Sequence, residues 1–160
     1  MKPLFSNILV AVSGSNASIM AAKYAIVMAK LYRCKLSAVY VVDTATIKQL
    51  TLSKIFVQQE SLEYEQSLEA NGMRYLGFVE ELARSKGLKI DRELRKGAVS
   101  TEILYAADEK KADLIILGGW EKNRSARDII GHDHHQIMES ARRSVLLVKE
   151  PDIDIMFKQL

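Results

Sequence analysis

Short apolar runs alternate with longer stretches of helical periodicity along this chain, and that alternation restricts its fold more than any other feature. Most of the runs are almost continuously apolar, as in strands that are covered on both faces. The predicted strands are Asn7–Val12 and residues 35–42, 88–95, 113–117 and 144–148. The predicted helices are residues 17–31, residues 60–85, a short segment from Ser100 and a segment from 131 to 141. The pattern of residues 44–54 is ambiguous between helix, strand and loop, and we expect a connection there.

This order of elements predicts a single-domain α/β fold, an open parallel five-stranded sheet with helices on both faces, in the Rossmann-like manner. Residues 1–150 would form that domain and residues 151–160 a C-terminal tail. In such sheets, ligands bind beyond the carboxyl ends of the strands, where the strand order reverses. The loops after Val12, Val42 and Leu117 are therefore the expected site.

Composition excludes several classes of protein. A chain of 160 residues with 48% hydrophobic and 27% charged residues is sized for one packed domain. No apolar run reaches the roughly 18–20 residues that cross a bilayer. The net charge of +3 is small, and the basic stretch between Arg84 and Lys96 contains acids and no aromatic residue, which argues against nucleic acid as a partner. The single cysteine and the absence of a signal-peptide pattern predict a cytoplasmic protein.

The loop after the fourth strand carries the clearest binding signal. Gly118 and Gly131 bracket twelve residues between a strand and a helix. A glycine-rich connection of this kind can present backbone N–H groups to a phosphate. Arg124 and Arg127 in the same loop could neutralise phosphate charge, although solvated loop charges are the commoner explanation for such residues. Trp120, also in this loop, could either cover a ligand or fill the cleft.

Two other groups of residues have side chains that could carry chemistry. The string His132-Asp133-His134-His135 holds every histidine of the chain. His132 and His135 share a helix face, but a metal site needs three or four ligands, so a polar helix start is favoured and no metal is predicted. Cys34 lies between Arg33 and Lys35, which could lower the pKa of its thiol, yet an inert, partly buried thiol is favoured. No residue is assigned a catalytic role.

Four segments resemble the universal stress proteins in order and spacing: ILVAVSGSNAS, VYVVD, KGAVSTEILYAADEKKADLIILGG and IIGHDHHQIMESARRSVLLVKEP. The resemblance implies a small α/β domain that pairs through its last strand and binds ATP, with Mg²⁺, in a loop of pattern G-x2-G-x9-G-[S/T]. Gly118 and Gly131 match the first and third glycines. Glu121 replaces the second glycine, His132 replaces the Ser/Thr, and Ser13 stands where the family usually has Asp. Glu121 and His132 are expected to weaken binding.

The nucleotide site predicted from topology and resemblance together is formed by residues at three strand ends and at the start of the last long helix. Its residues are Ala11, Val12, Ser13, Val41, Leu117, Gly118, Arg124, Arg127, Gly131, His132, Asp133 and His134. Val41 stands where the family places backbone beside the adenine ring.

Three functions stay open at this point. The first is a stress-response or regulatory domain that binds adenine nucleotide and acts as a homodimer, with at most slow ATP hydrolysis. The second is a nucleotide-free dimeric interaction module with an unidentified protein partner. The third is an adenylating ATP pyrophosphatase, because residues 13–18 partly resemble the SGGxDS loop. The apolar final strand, Val145, Leu146, Leu147 and Val148, is the expected dimer edge, and the tail is expected to dock on a neighbouring subunit.

Overall fold

The computed structural model describes residues 1–119 and 130–160, except for the side chains of residues 130–132. The strands are β1 (Asn7–Val12), β2 (Lys35–Asp43), β3 (Asp91–Gly97), β4 (Leu114–Gly118) and β5 (Ser144–Val148). The helices are α1 (Asn16–Tyr32), α2 (Thr44–Leu52), α3 (Gln58–Ser85), α4 (Val99–Glu109), α5 (Ile130–Ser140) and α6 (Ile153–Gln159). No helix among these described residues is both long and apolar enough to cross a bilayer.

All five strands form one parallel sheet in the order β3-β2-β1-β4-β5, which confirms the predicted fold class. The register places Val10 of β1 between Ala38 of β2 and Ile116 of β4. The strand order reverses between β1 and β4, so the chain leaves these two neighbouring strands in opposite directions. A cleft at this point of the carboxyl edge is the expected ligand position for such a sheet.

Two apolar cores cover the two faces of the sheet. On one face, Val10, Ile26, Leu76 and Phe157 belong to a core built with α1, α3 and α6. On the other face, Leu9, Ile103 and Ile137 belong to a core built with α4 and α5. Helices therefore lie on both faces, as the alternation of strands and helices predicted.

The structure corrects three expectations: one about a helix, one about a strand boundary and one about the C-terminal tail. Residues 44–54, expected to be a connection, contain the helix α2. The third strand was predicted at residues 88–95 and lies at Asp91–Gly97. The tail forms α6, and the expectation that it serves a neighbouring subunit is wrong for Ile153 and Phe157, which are buried in the core of their own chain. Gly87 follows the end of α3 and adopts a left-handed conformation, with φ of +72°.

Candidate functional site

The end of β4 lies directly against the first turn of α1. A Cβ atom on Gly118 would stand 2.6 Å from the backbone carbon and oxygen of Ala17 and 2.9 Å from the backbone nitrogen of Ser18. Any side chain at this position would collide with backbone atoms, so glycine is required for the approach. The loop after β1 and the end of β4, which the topology predicted to be neighbours, are thus in contact.

Three serine hydroxyls hold the loop between β1 and α1 in one shape. The Ser15 hydroxyl caps α1 by accepting a hydrogen bond from the backbone N–H of Ser18 at 3.1 Å. The Ser18 hydroxyl donates to the carbonyl of Ser13 at 2.6 Å and accepts from its N–H at 3.0 Å. The Ser13 and Ser15 hydroxyls lie 3.0 Å apart. Ser13 therefore contributes a neutral hydroxyl to this loop, where a carboxylate would repel an anionic ligand.

The helix α5 is hydrogen-bonded to the same end of β4. His134 lies on α5, and its Nε2 is 2.7 Å from the carbonyl oxygen of Gly118. Because a carbonyl can only accept, Nε2 carries the proton. A second bond, from the Ser100 hydroxyl to Gln136 Oε1 at 2.7 Å, joins α5 to the start of α4. His134 is thus held in place by Gly118, and its Nε2 is occupied.

Of the four predicted apolar site residues, two are half-buried at the strand ends and two are buried in the core. Ala11 and Val41 are half-buried at the carboxyl ends of their strands and pack against the core under α4 and α5. Leu117 belongs to that core but is buried, with 1% of its surface exposed. Val12 is buried in the opposite core, under α1 and α3. Ala11 and Val41 can contact a flat ring directly, whereas Val12 and Leu117 can contribute only backbone atoms.

Several predicted site residues are not described in full. Arg124 and Arg127, together with Trp120 and Glu121, lie outside the described residues. The backbone of Gly131 and His132 is part of the first turn of α5, but their side chains are outside the description. Predictions made for these side chains stay predictions.

Tyr75 is a neighbour of this site that is absent from the site residues predicted from the sequence. A Cβ atom on Gly14 would lie 3.1–3.3 Å from the Tyr75 ring, so this ring covers the β1–α1 loop from the α3 side. The ring stacks on Tyr40 at a centroid distance of 6.5 Å, and the guanidinium of Arg74 lies 5.4 Å from its centre. Burial raises the pKa of the Tyr40 phenol, which therefore stays neutral. Nothing in the sequence showed that Tyr75 reaches this loop.

The described residues support neither a histidine metal site nor a reactive Cys34 thiol. They contain no group of three or more His, Cys, Asp or Glu side chains placed to hold a metal ion. His135 is mostly exposed and lies 3.8 Å from Glu139. Cys34 is buried, with its sulfur 3.3 Å from the carbonyl of Phe5. Burial, followed by the charge of Asp113, raises the pKa of its thiol, so the flanking cations do not activate it.

Comparison with known proteins identifies the family. The model of the universal stress protein family matches residues 4–149. The chain belongs to that family. Universal stress protein MJ0531 of Methanocaldococcus jannaschii is 33% identical over 148 residues, covering 92% of this chain and 84% of the relative.

Two solved family structures that resemble this fold contain nucleotides according to their descriptions. One is a universal stress protein in complex with cAMP, with 19% identity, a TM-score of 0.66, and coverage of 92% of this chain and 99% of that one. The other is the universal stress protein from Archaeoglobus fulgidus in complex with dAMP, with 16% identity, a TM-score of 0.59, and coverage of 92% and 100%. At these identities, the likeness to this chain is one of fold.

Proposed function

We propose that this universal stress protein binds an adenine nucleotide at the carboxyl edge of the sheet, between β1 and β4, and acts as a regulatory homodimer. The observation that carries the proposal is the junction at Gly118, which touches the first turn of α1 and accepts a hydrogen bond from His134 in the second turn of α5. Two helices thus begin beside one strand end. Helix N-termini present N–H groups and partial positive charge, so their convergence favours a phosphate.

The adenine ring of the nucleotide would lie on the apolar side of this junction. Ala11 and Val41 offer a half-buried apolar surface at the ends of neighbouring strands. A flat, weakly polar ring gains from covering such a surface. This arrangement and the cAMP and dAMP complexes of two relatives support an adenine nucleotide as the ligand class. ATP with Mg²⁺ is the form that the family's G-x2-G-x9-G-[S/T] loop implies, with Arg124 and Arg127 as the proposed phosphate partners. Glu121 and His132, which replace the second glycine and the Ser/Thr of that loop, are expected to weaken binding.

Regulation suits this site better than turnover. The Nε2 atom of His134 is committed to Gly118, and Ser13 is held by its neighbours Ser15 and Ser18. A hydrolytic enzyme would need a base free to activate water. We infer that binding changes the surface that partners meet at the carboxyl edge of the sheet. We further infer a cytoplasmic location, since the one cysteine is a buried free thiol.

Calorimetric titration with ATP, with and without Mg²⁺, and with AMP and cAMP tests the proposal. We expect saturable binding of at least one of these nucleotides. Gly131→Val should weaken it by more than about tenfold, because a branched side chain in the first turn of α5 blocks close approach of a phosphate. A helix interior tolerates Val at least as well as Gly, so the variant should stay folded.

Gly77→Val is the matched control. Gly77 lies in α3, where, among the described residues, an added Cβ would meet only Arg92 Nη1 at 3.4 Å, an ordinary contact. This variant should bind nucleotide like the unmodified protein. Absence of saturable binding at millimolar concentrations of all three nucleotides would contradict the proposal and favour the nucleotide-free interaction module.

A further inference from the structure

All five strands of the parallel sheet begin at one edge, and an exposed cation lies at the first residue of each strand or within the five residues before it. Because neighbouring strands lie about 4.8 Å apart, the five strand starts form a row roughly 20 Å long. We call this row the basic edge. In the strand order β3-β2-β1-β4-β5, its cations are Lys89, Arg33 with Lys35, Lys2, Lys111 and Arg142.

Hydrogen bonds between the segments at the basic edge place them on one surface. The backbone N–H of Lys35 donates to the carbonyl of Ser6 at 2.8 Å, so the start of β2 lies beside the segment that leads into β1. On the other side of β1, the side-chain amide of Asn7 donates to the carbonyl of Lys111 at 3.1 Å. The cations before β2, β1 and β4 are therefore neighbours in space, although they are far apart in the chain.

The cations of the basic edge are not neutralised by ion pairs. No carboxylate of the described residues lies within ion-pair distance of any of the six. By contrast, Arg95 and Lys96, at the other end of β3, each lie within 3.4 Å of at least two glutamates. Lys30 is also exposed and has no such partner in the same part of the chain, and its Nζ would lie 3.2 Å from a Cβ atom on Gly87. It extends the basic edge from α1 to the loop before β3.

Acidic residues near the basic edge are fewer than its cations. Asp91 is exposed at the first position of β3. Asp113 is half-buried, and its carboxylate accepts hydrogen bonds from the backbone N–H groups of Ser6 and Asn7 at 2.8–3.3 Å. The nearby carboxylates of α3 and α4 are held by other cations: Glu80 and Glu81 by Arg84, and Asp108 by Arg143. The basic edge therefore carries a clear excess of positive charge.

Large apolar side chains project beside these cations. Leu4 is 85% exposed, and Leu31 and Tyr32, at the end of α1, are 60% and 67% exposed. Their two segments are in contact, because Cys34 Sγ lies 3.3 Å from the carbonyl oxygen of Phe5 and 3.8 Å from that of Tyr32. Apolar side chains among unpaired cations suit a partner that offers both an apolar interior and a negatively charged surface.

We propose that the basic edge docks on the surface of an anionic lipid bilayer. The row of cations would lie along the lipid headgroups, and Leu4, Leu31 and Tyr32 would enter the boundary of the acyl chains. Such binding is peripheral and reversible, since it combines a few apolar side chains with electrostatic attraction. The candidate nucleotide cleft lies at the opposite edge of the sheet and stays accessible. The proposal therefore does not depend on the proposed function.

The apolar side chains favour lipid over nucleic acid as the anionic partner. Proteins that bind single strands use aromatic rings on which bases stack, and proteins that bind duplexes use polar side chains at base edges. Leu4 and Leu31 supply neither kind of contact and would stay in water beside a phosphate backbone. In a bilayer the same two side chains leave water, which is favourable.

Co-sedimentation with lipid vesicles tests the proposal. One set of vesicles consists of phosphatidylcholine, and in the other about a third of that lipid is replaced by anionic phosphatidylserine. In about 0.1 M salt, the unmodified protein should bind the anionic vesicles at least about tenfold more tightly than the neutral ones. About 1 M salt should release it, because the Debye length then falls to about 3 Å.

Arg33→Gln/Lys35→Gln removes two cations from the basic edge. A basic side chain near an anionic bilayer contributes about fivefold in affinity, so this variant should bind anionic vesicles about twentyfold more weakly. Lys48→Gln/Lys54→Gln is the matched control, because it removes two exposed cations from α2 and its following turn, at the other edge of the sheet. Each pair includes one residue with left-handed backbone, φ of 56° at Arg33 and 59° at Lys54. The control should bind nearly as tightly as the unmodified protein, and both variants should keep its circular dichroism spectrum.

Leu4→Ser/Leu31→Ser tests the apolar part of the contact without a change of charge. It should weaken binding to anionic vesicles by at least about fivefold, since two apolar side chains no longer leave water. Leu52→Ser/Ile55→Ser, which changes two residues that are 73% and 65% exposed at the other edge, should have little effect.

Three results would overturn the proposal. One is no binding to anionic vesicles in about 0.1 M salt, and another is equal binding to neutral and anionic vesicles. The third is an equal loss of binding in the Arg33/Lys35 variant and in its Lys48/Lys54 control. Salt-sensitive binding of a single-stranded RNA by protein that does not sediment with anionic vesicles would assign the basic edge to nucleic acid instead.

Discussion

Gly72 shows how closely α3 approaches the sheet. A Cβ atom there would lie 2.5 Å and 2.8 Å from two atoms of the Tyr40 ring and 2.9 Å from Leu94 Cδ1. Tyr40 is buried and also stacks on Tyr75, so its ring has little room to move. This contact determines the position of the helix half that carries Tyr75 to the β1–α1 loop.

Gly72→Ala should therefore destabilise the protein. We expect a loss of about 1–3 kcal/mol in the free energy of unfolding, as for overpacked core positions. Gly77→Ala, one and a half turns further along α3, should be neutral or stabilising by up to about 1 kcal/mol, because Ala favours a helix over Gly. Urea unfolding of both variants measures the difference. Equal stabilities would show that α3 adjusts at Gly72 without cost.

Single-residue roles at the site were only partly predictable. The change from Asp to Ser at position 13 is visible in the sequence, since the resemblance supplies the expected residue. The bond from His134 to Gly118 and the cover that Tyr75 gives to Gly14 join residues 16 and 61 positions apart. Such contacts depend on the packing of whole helices, which no local spacing specifies.

At the scale of elements, α2 and α6 are the described helices that the sequence did not predict, and α2 shows why. Its nine residues include three threonines, which have low helix propensity, and only Ile47 is buried, so no apolar stripe appears. The local signal was its cap: Asp43 accepts a hydrogen bond from the N–H of Thr46 at 3.0 Å. Because Asp43 also ends β2, the sequence alone presented it as a strand terminus. The long periodic segments, by contrast, were predicted correctly because each has a buried face.

The last helix, α6, lies beyond the residues matched by the family model and is fastened to α1. Lys23 Nζ lies 2.6 Å from Asp154 Oδ1, and Phe157 is buried under the Lys23 and Lys86 ammonium groups. The hydrogen bond from Lys23, and then its charge, lower the pKa of Asp154. A carboxyl whose pKa is lower in the folded state stabilises that state above its unfolded pKa of about 4. The contribution is lost as the pH falls through the lower folded value.

Asp154→Asn should consequently lower the melting temperature slightly at pH 7. The difference from the unmodified protein should shrink as the pH falls from about 4 through the lowered folded pKa of Asp154, below which both proteins lack the charge. Scanning calorimetry at several pH values measures it. Phe157→Ala is the contrasting variant. Its loss of stability, about 3–5 kcal/mol from removed apolar contact, should persist at every pH at which the protein folds. A pH-independent effect of Asp154→Asn would contradict the ion pair.

At the scale of the whole molecule, the two edges of the sheet differ in character. On β3, Arg95 pairs with Glu93, Glu102 and Glu109 at 2.7–3.2 Å, and Lys96 pairs with two glutamates of α3. Charged side chains on an edge strand oppose pairing with another strand. The other edge, β5, reads Ser-Val-Leu-Leu-Val and is charge-free. Only the second edge is suited to an isologous pair, in which each copy presents the same strand.

We therefore expect a homodimer that pairs through β5. Val145 and Leu147 are half-buried and pack against the core on the α4–α5 face of this strand, so substitution by lysine adds charge along the edge strand. The circular dichroism spectrum of the double variant should first show that the monomer is still folded. Val145→Lys/Leu147→Lys should sediment with the mass of a monomer at concentrations at which the unmodified protein is a dimer. Ile155→Lys, a charge added to an exposed apolar residue of α6, should remain dimeric. The expectation is wrong if the double variant keeps the dimer mass, because a charge at a strand-pairing interface that is buried on both sides costs several kcal/mol. The expectation of a homodimer is equally wrong if the unmodified protein is a monomer at the highest concentration measured. In that case, a different partner would have to cover the apolar strand β5.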